Sequence, residues 1–117
     1  MTVRRVVPNL TVADLDATRD AYVATLGLTE VMNHGWILTL ADPDRSHQIS
    51  LMTEDLTATV NPTVSVEVEV DDVDAAHQAA VAAGLRIVHP LTDEEWGVRR
   101  FFFEDPAGNV VNVLSHR

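Results

Sequence analysis

Polar and apolar residues alternate along two stretches of the chain, and each stretch precedes a segment with helical periodicity. In residues 5–12 and 64–70, side chains of similar character recur at every second position, which is typical of a half-buried β-strand. Residues 15–26 and about 73–83 follow them, and the sequence predicts a helix in each range. The chain therefore starts each half with a strand and a helix.

Capping signals and turn residues support this division. An aspartate precedes each helix at the N-cap position, and Gly27 and Gly84 stand where a left-handed C-cap is expected. In the first helix, apolar residues recur at helical spacing at Leu15, Tyr22, Val23 and Leu26. Three more strands are predicted in each half, at 29–33, 36–41 and 47–53, and at 86–90, 98–104 and 110–115.

The two halves repeat each other. Asp14 aligns with Asp72, and the Asp42-Pro43 turn aligns with Asp105-Pro106. The sequence predicts one α+β domain over residues 1–117, built from two tandem βαβββ modules. Module 1 covers about 1–54, a polar linker about 55–63, and module 2 about 64–117. A ferredoxin-like βαββαβ fold is the alternative, but too many strands follow each helix for it.

Composition excludes several classes of function. The chain has 117 residues, a formal net charge of −10 and no cysteine. The acidic balance argues against nucleic acid and against anionic membrane surfaces as partners, and no apolar run is long enough to span a bilayer. Without cysteine there is no disulfide and no thiolate nucleophile. The first ten residues do not resemble a signal peptide, so we expect a cytoplasmic location.

The strand at 64–70 has two chemically different faces. Its valines occupy one face and should pack on helices, whereas Ser65, Glu67 and Glu69 occupy the other. Partial burial would raise the pKa values of the two carboxyl groups. Glu67 could then act as a general base or anchor a cationic ligand. Alternatively, Glu67 pairs internally with Arg100 and Glu69 reaches solvent at the strand end.

The repeated pattern resembles the vicinal-oxygen-chelate superfamily, which includes glyoxalases, bleomycin-resistance proteins and extradiol dioxygenases. The resemblance rests on VADLDA and VDDVDA at the two helix starts, the two Gly-Leu helix ends, and FFFEDPAGNVVNVL at residues 101–114. It implies that the two modules form a cupped, incomplete barrel. It also implies that the protein is a homodimer with small-molecule sites inside the cups.

Strand alternation and the family register together select the side chains that face the cup. They are Asn9, Ile37, Thr39, Ser50, Met52, Ser65, Glu67, Arg100, Phe102 and Asn112, with Trp96 on a loop at the rim. The apolar members would form a floor or fill the core, and the polar ones would bond a ligand, each other or water. Phe101 and Phe103 should pack outward on the helices. Arg99 and Arg100 should point to opposite faces, and the sequence leaves open which one faces the cup.

The resemblance places the four metal-ligand positions of metal-dependent relatives at Val7, Ser50, Ser65 and Asn112. Valine cannot ligate a metal, and hydroxyl and amide groups are poor ligands for a divalent cation. We therefore expect no metal and no other cofactor. The five histidines form no HxH or HxxxH pair, and we expect them to be solvated, including His77 on its helix.

Two classes of function remain. The first is a metal-independent binding protein of the bleomycin-resistance type, which sequesters an antibiotic or another apolar or planar metabolite. The second is a glyoxalase-like lyase or isomerase, or a dioxygenase-like enzyme, that uses an atypical metal site or Glu67 as its catalytic base. The missing ligand set favours binding. Trp96 and Trp36 could stack on a ligand or contact a second copy of the chain.

Overall fold

A computed structural model describes residues 1–53 and 64–117, so the predicted linker at 55–63 lies outside the described residues. The described residues form two helices and eight strands in the order βαβββ, βαβββ. This order confirms the predicted α+β class and the tandem repeat.

The element bounds lie within a few residues of the predicted ones. They are β1 (Val3–Val12), α1 (Leu15–Leu26), β2 (Thr29–Asn33), β3 (Ile37–Ala41), β4 (Gln48–Thr53), β5 (Val66–Val70), α2 (Val73–Ala82), β6 (Arg86–Asp93), β7 (Val98–Glu104) and β8 (Val110–His116). The largest difference is in β6, which continues from the predicted end at residue 90 to Asp93. Its pairing with β7 shifts register at two places, which lets the longer strand follow its partner.

The chain divides into two compact units. One contains residues 7–53 of the described chain, and the other contains Met1–Val6 together with Val64–Arg117. The strand order is β2-β3-β4-β1 in the first module and β5-β8-β7-β6 in the second. The start of β1 belongs to the second unit, where Thr2 and Asp71 are joined by backbone and side-chain hydrogen bonds.

The same strand pairing occurs in both modules. β1 runs parallel to β4 and places Asn9 beside Ser50. β5 runs parallel to β8 and places Glu67 beside Asn112. Within the described part of each module, β2 pairs with β3, β3 with β4, β6 with β7 and β7 with β8, all antiparallel. Residues that the sequence repeat aligns with each other therefore occupy the same pairing positions in the two modules.

Both helices begin at their predicted N-caps. α1 ends at its predicted C-cap Gly27, whereas the C-cap of α2 is Ala83, one residue before Gly84. The Asp14 and Asp72 carboxylates each accept a hydrogen bond, at 3.0 Å, from the backbone N–H three residues later. Gly27 and Gly84 have φ of 68° and 76°, the left-handed conformation that a residue without Cβ adopts at low cost.

The core of the second module lies between its sheet and α2. Phe101 is fully buried, and Phe103 packs beside it. Val66, Val68 and Val70 of β5 pack in the same cluster, which confirms that the valine face of this strand is the helix face. His77 on α2 packs edge-on against Phe101 with ring centroids 5.0 Å apart, so the prediction of a solvated His77 was wrong.

The first module has a smaller core. Leu38, Leu40 and Leu51 are fully buried, and Leu15 and Tyr22 of α1 pack against them. Other apolar side chains of α1 and of the part of β1 in this unit are exposed, namely Leu10 by 39%, Val23 by 38% and Leu26 by 62%. The predicted apolar faces of these two elements are therefore only partly buried in this unit.

The N-cap of α1 gives a direct test of this local structure. Asp14→Ala leaves the Ala17 N–H without its acceptor and should lower the free energy of unfolding by about 1 kcal/mol. Asp14→Asn keeps an acceptor at the same place and should stay close to wild type. Urea denaturation of both variants measures the difference, and equal stabilities would contradict the capping role.

Candidate functional site

The face of the second sheet that points away from α2 carries two rows of side chains. Register places Glu67 beside Asn112 and Asn112 beside Phe102 in the first row. It places Glu69 beside Leu114 and Leu114 beside Arg100 in the second row. Because successive side chains of a strand alternate, these residues lie opposite the valine and phenylalanine core. We call the surface formed by these two rows the polar face.

Glu67 lies in a poorly hydrated position on the polar face. Burial raises the pKa of its carboxyl group, and the nearby charges of Arg5, Arg100 and His116 partly oppose this effect. Its Oε1 accepts a hydrogen bond from Asn112 Nδ2 at 3.2 Å, whereas Oε2 has no hydrogen bond to any described residue. Glu67 therefore takes up a proton more readily than an ordinary glutamate and keeps one oxygen for another donor.

Asn112 is the buried polar partner of Glu67. It is 4% exposed, and its Oδ1 atom is buried without a hydrogen-bond partner among the described residues. An orphaned buried carbonyl oxygen is unfavourable until a donor reaches it. Rotation of the amide would turn Oδ1 towards a protonated Glu67, so the pair can accommodate both protonation states of the carboxyl group.

The sequence left open that Glu69 reaches solvent at the end of its strand, but its side chain is largely covered. Its Oε1 lies 3.3 Å from Arg5 Nη2 and 3.2 Å from His116 Nδ1, and its side chain is only 19% exposed. The strand end is covered by the start of β1 and the end of β8. This acid is therefore held in an ion-pair network and is less available to a ligand than Glu67.

Arg100 does not pair with Glu67, so that predicted alternative was wrong. Its Nε donates to Glu94 Oε1 at 3.2 Å, and the same oxygen lies 3.0 Å from His89 Nε2. The guanidinium carbon lies 5.0 Å from the Trp96 ring centroid and 4.7 Å from that of Phe102. These distances fit cation–π contacts.

Arg99 occupies the other face of β7. Its Nη2 bonds Asp74 of α2 at 2.9 Å and its Nη1 bonds Asp93 at 3.0 Å. The contact with α2 shows that Arg99 points to the helix side, and Arg100 is therefore the arginine of the polar face. The bond from Arg99 also lowers the pKa of Asp74.

The predicted residues of the first module form a separate polar group. Thr39 Oγ1 and Ser50 Oγ are buried and lie 2.8 Å apart. Asn9 is beside Ser50 in the strand register, and its Oδ1 is buried without a hydrogen-bond partner within the described residues. Ile37 and Met52 are half-buried and adjacent in register. The hydroxyl groups of Thr39 and Ser50 are hydrogen-bonded to each other, so in this group Asn9 Oδ1 is the buried atom that could accept a hydrogen bond from a ligand.

Two predicted site residues are more exposed than the others. Ser65 lies just before β5 and is exposed, although it was expected to face the cup. Its backbone N–H bonds Val110 O, so the chain is paired there while the hydroxyl points outward. Trp96 is 63% exposed on the turn between β6 and β7.

Three residues that shape the polar face were missed by the sequence analysis. Glu94 and His89 position Arg100, and Arg5 carries charge towards Glu67 and Glu69. The position of Arg5 could have been found, because it has the same strand parity as Val7. His89 could not, since the register shifts between β6 and β7 break simple alternation.

The residues at the four positions that the resemblance assigns to metal ligands do not fit a divalent cation. Val7 is buried and has no donor atom, and the Ser50 hydroxyl is bonded to Thr39. In the other module Ser65 is exposed, and the Asn112 amide bonds Glu67. Within residues 1–53 and 64–117, no three His, Cys, Asp or Glu side chains cluster in a way that could hold a metal ion.

A cavity of about 320 Å³ lies elsewhere in the second module. It is lined by apolar side chains between the sheet and α2, among them Met1, Val3, Ala76 and Phe101. None of the predicted site residues lines it. The cavity is thus on the helix side of the sheet, opposite the polar face.

Comparison with known proteins identifies similar sequences and folds. The family model described as Glyoxalase/Bleomycin resistance protein/Dioxygenase superfamily matches residues 3–113. No curated protein matches the sequence. Neither helix in the described part of the chain has the length and apolar character needed to cross a membrane.

Three solved structures illustrate the shared fold. An NAD-dependent benzaldehyde dehydrogenase from Legionella pneumophila has a TM-score of 0.73 and 14% identity, with 96% of this chain and 99% of that chain covered. A glyoxalase/bleomycin resistance protein/dioxygenase superfamily member from Vibrio splendidus 12B01 has 0.70 and 17%, with 97% and 99% covered. A methylmalonyl-CoA epimerase from Mycobacterium tuberculosis has 0.68 and 22%, with 98% and 87% covered.

The raised pKa of Glu67 predicts a particular dependence of stability on pH. The folded state binds the Glu67 proton more tightly than the unfolded state does. The stabilisation that this proton provides is therefore full below pH 4.5, the ordinary pKa of a glutamate, and is lost as the pH rises through the pKa of the folded state. Glu67→Gln should therefore unfold at higher urea concentration than wild type at pH 7, with the advantage shrinking towards pH 4.

Glu69→Gln is the matched control, because it changes an acid two residues away that is paired with Arg5 and His116. It should not stabilise the protein at pH 7. If Glu67→Gln is destabilising at pH 7, or if its effect does not change with pH, the carboxyl group is not desolvated as described.

Proposed function

The chain belongs to the glyoxalase, bleomycin resistance protein and dioxygenase superfamily, and we propose that it binds a small molecule on the polar face of the second module without a metal ion. The observation that carries this proposal is the part-buried Glu67–Asn112 pair, in which one oxygen of each residue has no partner within the described chain. Both oxygens are acceptors, so the missing partners are donors.

The unused hydrogen-bonding capacity of this pair supports a binding role. A carboxylate can accept about four hydrogen bonds, and Glu67 accepts one from the described residues, from Asn112. A ligand that carries an N–H, an O–H or a cationic nitrogen would supply a hydrogen-bond donor to Glu67 Oε2 or Asn112 Oδ1. Hydrogen bonds to a charged group contribute about 1.5–3 kcal/mol each.

The surroundings of the pair favour a planar or apolar ligand body. Phe102 is buried beside Asn112, and Leu114 is buried in the neighbouring row. Trp96 presents a largely exposed ring at the adjacent turn. Pockets for small molecules commonly combine such apolar and aromatic surface with a few placed polar groups. An antibiotic or another planar metabolite would suit this surface.

The donor chemistry of this chain supports the proposal that binding is independent of a metal. A metal-using relative needs imidazole or carboxylate at the positions held here by valine, two serines and an asparagine. Glu67 lies two residues after Ser65 and already accepts a hydrogen bond from Asn112. The family resemblance further implies a homodimer, and a second copy could cover the half-exposed ring of Trp36.

A catalytic role is the second candidate, and the raised pKa of Glu67 favours it specifically. A carboxyl group that exchanges its proton closer to neutral pH is suited to general acid–base chemistry, as in an isomerase or lyase step. In that case Glu67 would accept a proton from bound substrate and Asn112 would reorient to follow the change in charge. Glu67→Gln would then abolish turnover but leave substrate affinity largely intact.

The binding proposal predicts ligand-induced stabilisation in the presence of EDTA. A thermal-shift panel of planar compounds that bear amine, amide or hydroxyl donors should include some that raise the Tm without added metal. Glu67→Gln should weaken those compounds about ten-fold or more, because it removes the charged acceptor. Glu95→Gln removes an exposed acid from the neighbouring turn and should leave affinity unchanged.

Two results would contradict the proposal. One is stabilisation that appears only when a divalent metal is supplied. The other is binding that responds equally to Glu67→Gln and Glu95→Gln, which would place the ligand away from the polar face.

A further inference from the structure

We propose that Arg100 forms an oxyanion subsite on the polar face, and that the small molecule bound there carries a carboxylate group. This inference rests on the proposed function and specifies the chemical class of its ligand. The two adjacent arginines of β7 differ within the described chain. Arg99 uses all three guanidinium nitrogens in hydrogen bonds, whereas Arg100 does not.

Arg99 is fully engaged in structural contacts. Its Nε and Nη2 bond Asp74, and its Nη1 bonds Asp93. Within the described residues, Arg100 hydrogen-bonds through Nε alone, which donates to Glu94. Its Nη1 and Nη2 atoms form no hydrogen bond to any residue of 1–53 or 64–117, although the side chain is only 15% exposed. Four N–H donors are therefore left for a partner in a sheltered position.

The guanidinium group of Arg100 is held in a fixed orientation. Glu94 anchors Nε, and His89 contacts the same carboxylate oxygen, so the anchor is itself supported. The rings of Trp96 and Phe102 lie under the guanidinium carbon at 5.0 and 4.7 Å. A guanidinium stacked on aromatic rings forms its hydrogen bonds in its own plane, through the remaining Nη edge.

A carboxylate matches this edge better than other groups. Its two oxygens accept two parallel N–H bonds from one guanidinium, a bidentate geometry that a neutral amide cannot reproduce. The partly exposed Trp96 ring beside Arg100 offers stacking surface for a planar ligand body. An aromatic or otherwise planar carboxylic acid fits both features.

The charge of Glu67 affects this subsite from the same face. Arg100 acts on the Glu67 carboxyl group through its charge, although the two side chains are not hydrogen-bonded. A ligand carboxylate at Arg100 would be repelled by ionised Glu67, and a donor elsewhere on the ligand would relieve this repulsion. A simple carboxylate without a donor should accordingly bind more tightly to Glu67→Gln than to wild type.

Benzoate and benzamide provide a matched pair of probes, because they have nearly the same shape and differ in charge. Titration of the ¹⁵N-labelled protein with each compound, followed by amide chemical shifts, measures affinity and location together. Benzoate should perturb the residues around Arg100 and Trp96 and bind about ten-fold more tightly than benzamide.

Arg100→Gln should abolish this preference for benzoate, whereas Arg99→Gln, the control for loss of an arginine from β7, should keep it. Glu67→Gln should increase benzoate affinity by several-fold. The far-ultraviolet circular dichroism and Tm of each variant establish that it is folded. Arg100→Lys, which keeps the charge but not the fork, should retain only part of the preference and is the second variant if Arg100→Gln unfolds.

The inference is overturned if wild type binds the two compounds equally, if benzoate produces no shifts up to its solubility, or if Arg100→Gln keeps the preference. If benzamide or the donor-bearing compounds bind at Glu67 and Asn112 without any carboxylate preference, the proposed function stands and only the subsite fails. If no compound perturbs the polar face, the proposed function fails as well.

Discussion

The parallel pairing of β5 with β8 places Glu67 beside Asn112, and this register determines what the second module presents to a ligand. A shift by one residue would exchange the two faces of β5 and direct its acids into the cluster around Phe101. The valines of β5 prevent such a shift, because they pack with α2 on the opposite face. The apolar core and the polar face are thus two consequences of one alternation.

The carboxyl groups on and beside the polar face differ in the charge of their partners. Glu69 and Glu94 are each contacted by an arginine and a histidine, whereas Glu67 is supported by an amide. Burial raises the pKa of Glu67, the acid whose hydrogen-bond partner is a neutral amide. The same arrangement leaves the outer nitrogens of Arg100 without partners in the described chain.

The sequence repeat and the family resemblance predicted the fold, and strand alternation predicted most side-chain directions, because one face of each strand must pack on a helix. In β7 the family register selected the face, and it placed Phe101 and Phe103 in the core correctly. Pairings between side chains could not be predicted in this way. Glu94, on the turn that follows β6, accepts the hydrogen bond from Arg100 that was predicted for Glu67, and nothing in the spacing of residues reveals this contact.

We propose that Glu67 is a desolvated acid on a ligand-binding face. A pH titration of its side-chain carboxyl ¹³C chemical shift, assigned by comparison with Glu67→Gln, tests this proposal. The midpoint should lie above the ordinary glutamate value of 4.5, because burial disfavours the ionised form more than Arg5, Arg100 and His116 favour it. A midpoint at or below that value would instead indicate a hydrated or fully paired carboxylate with nothing left to offer a ligand.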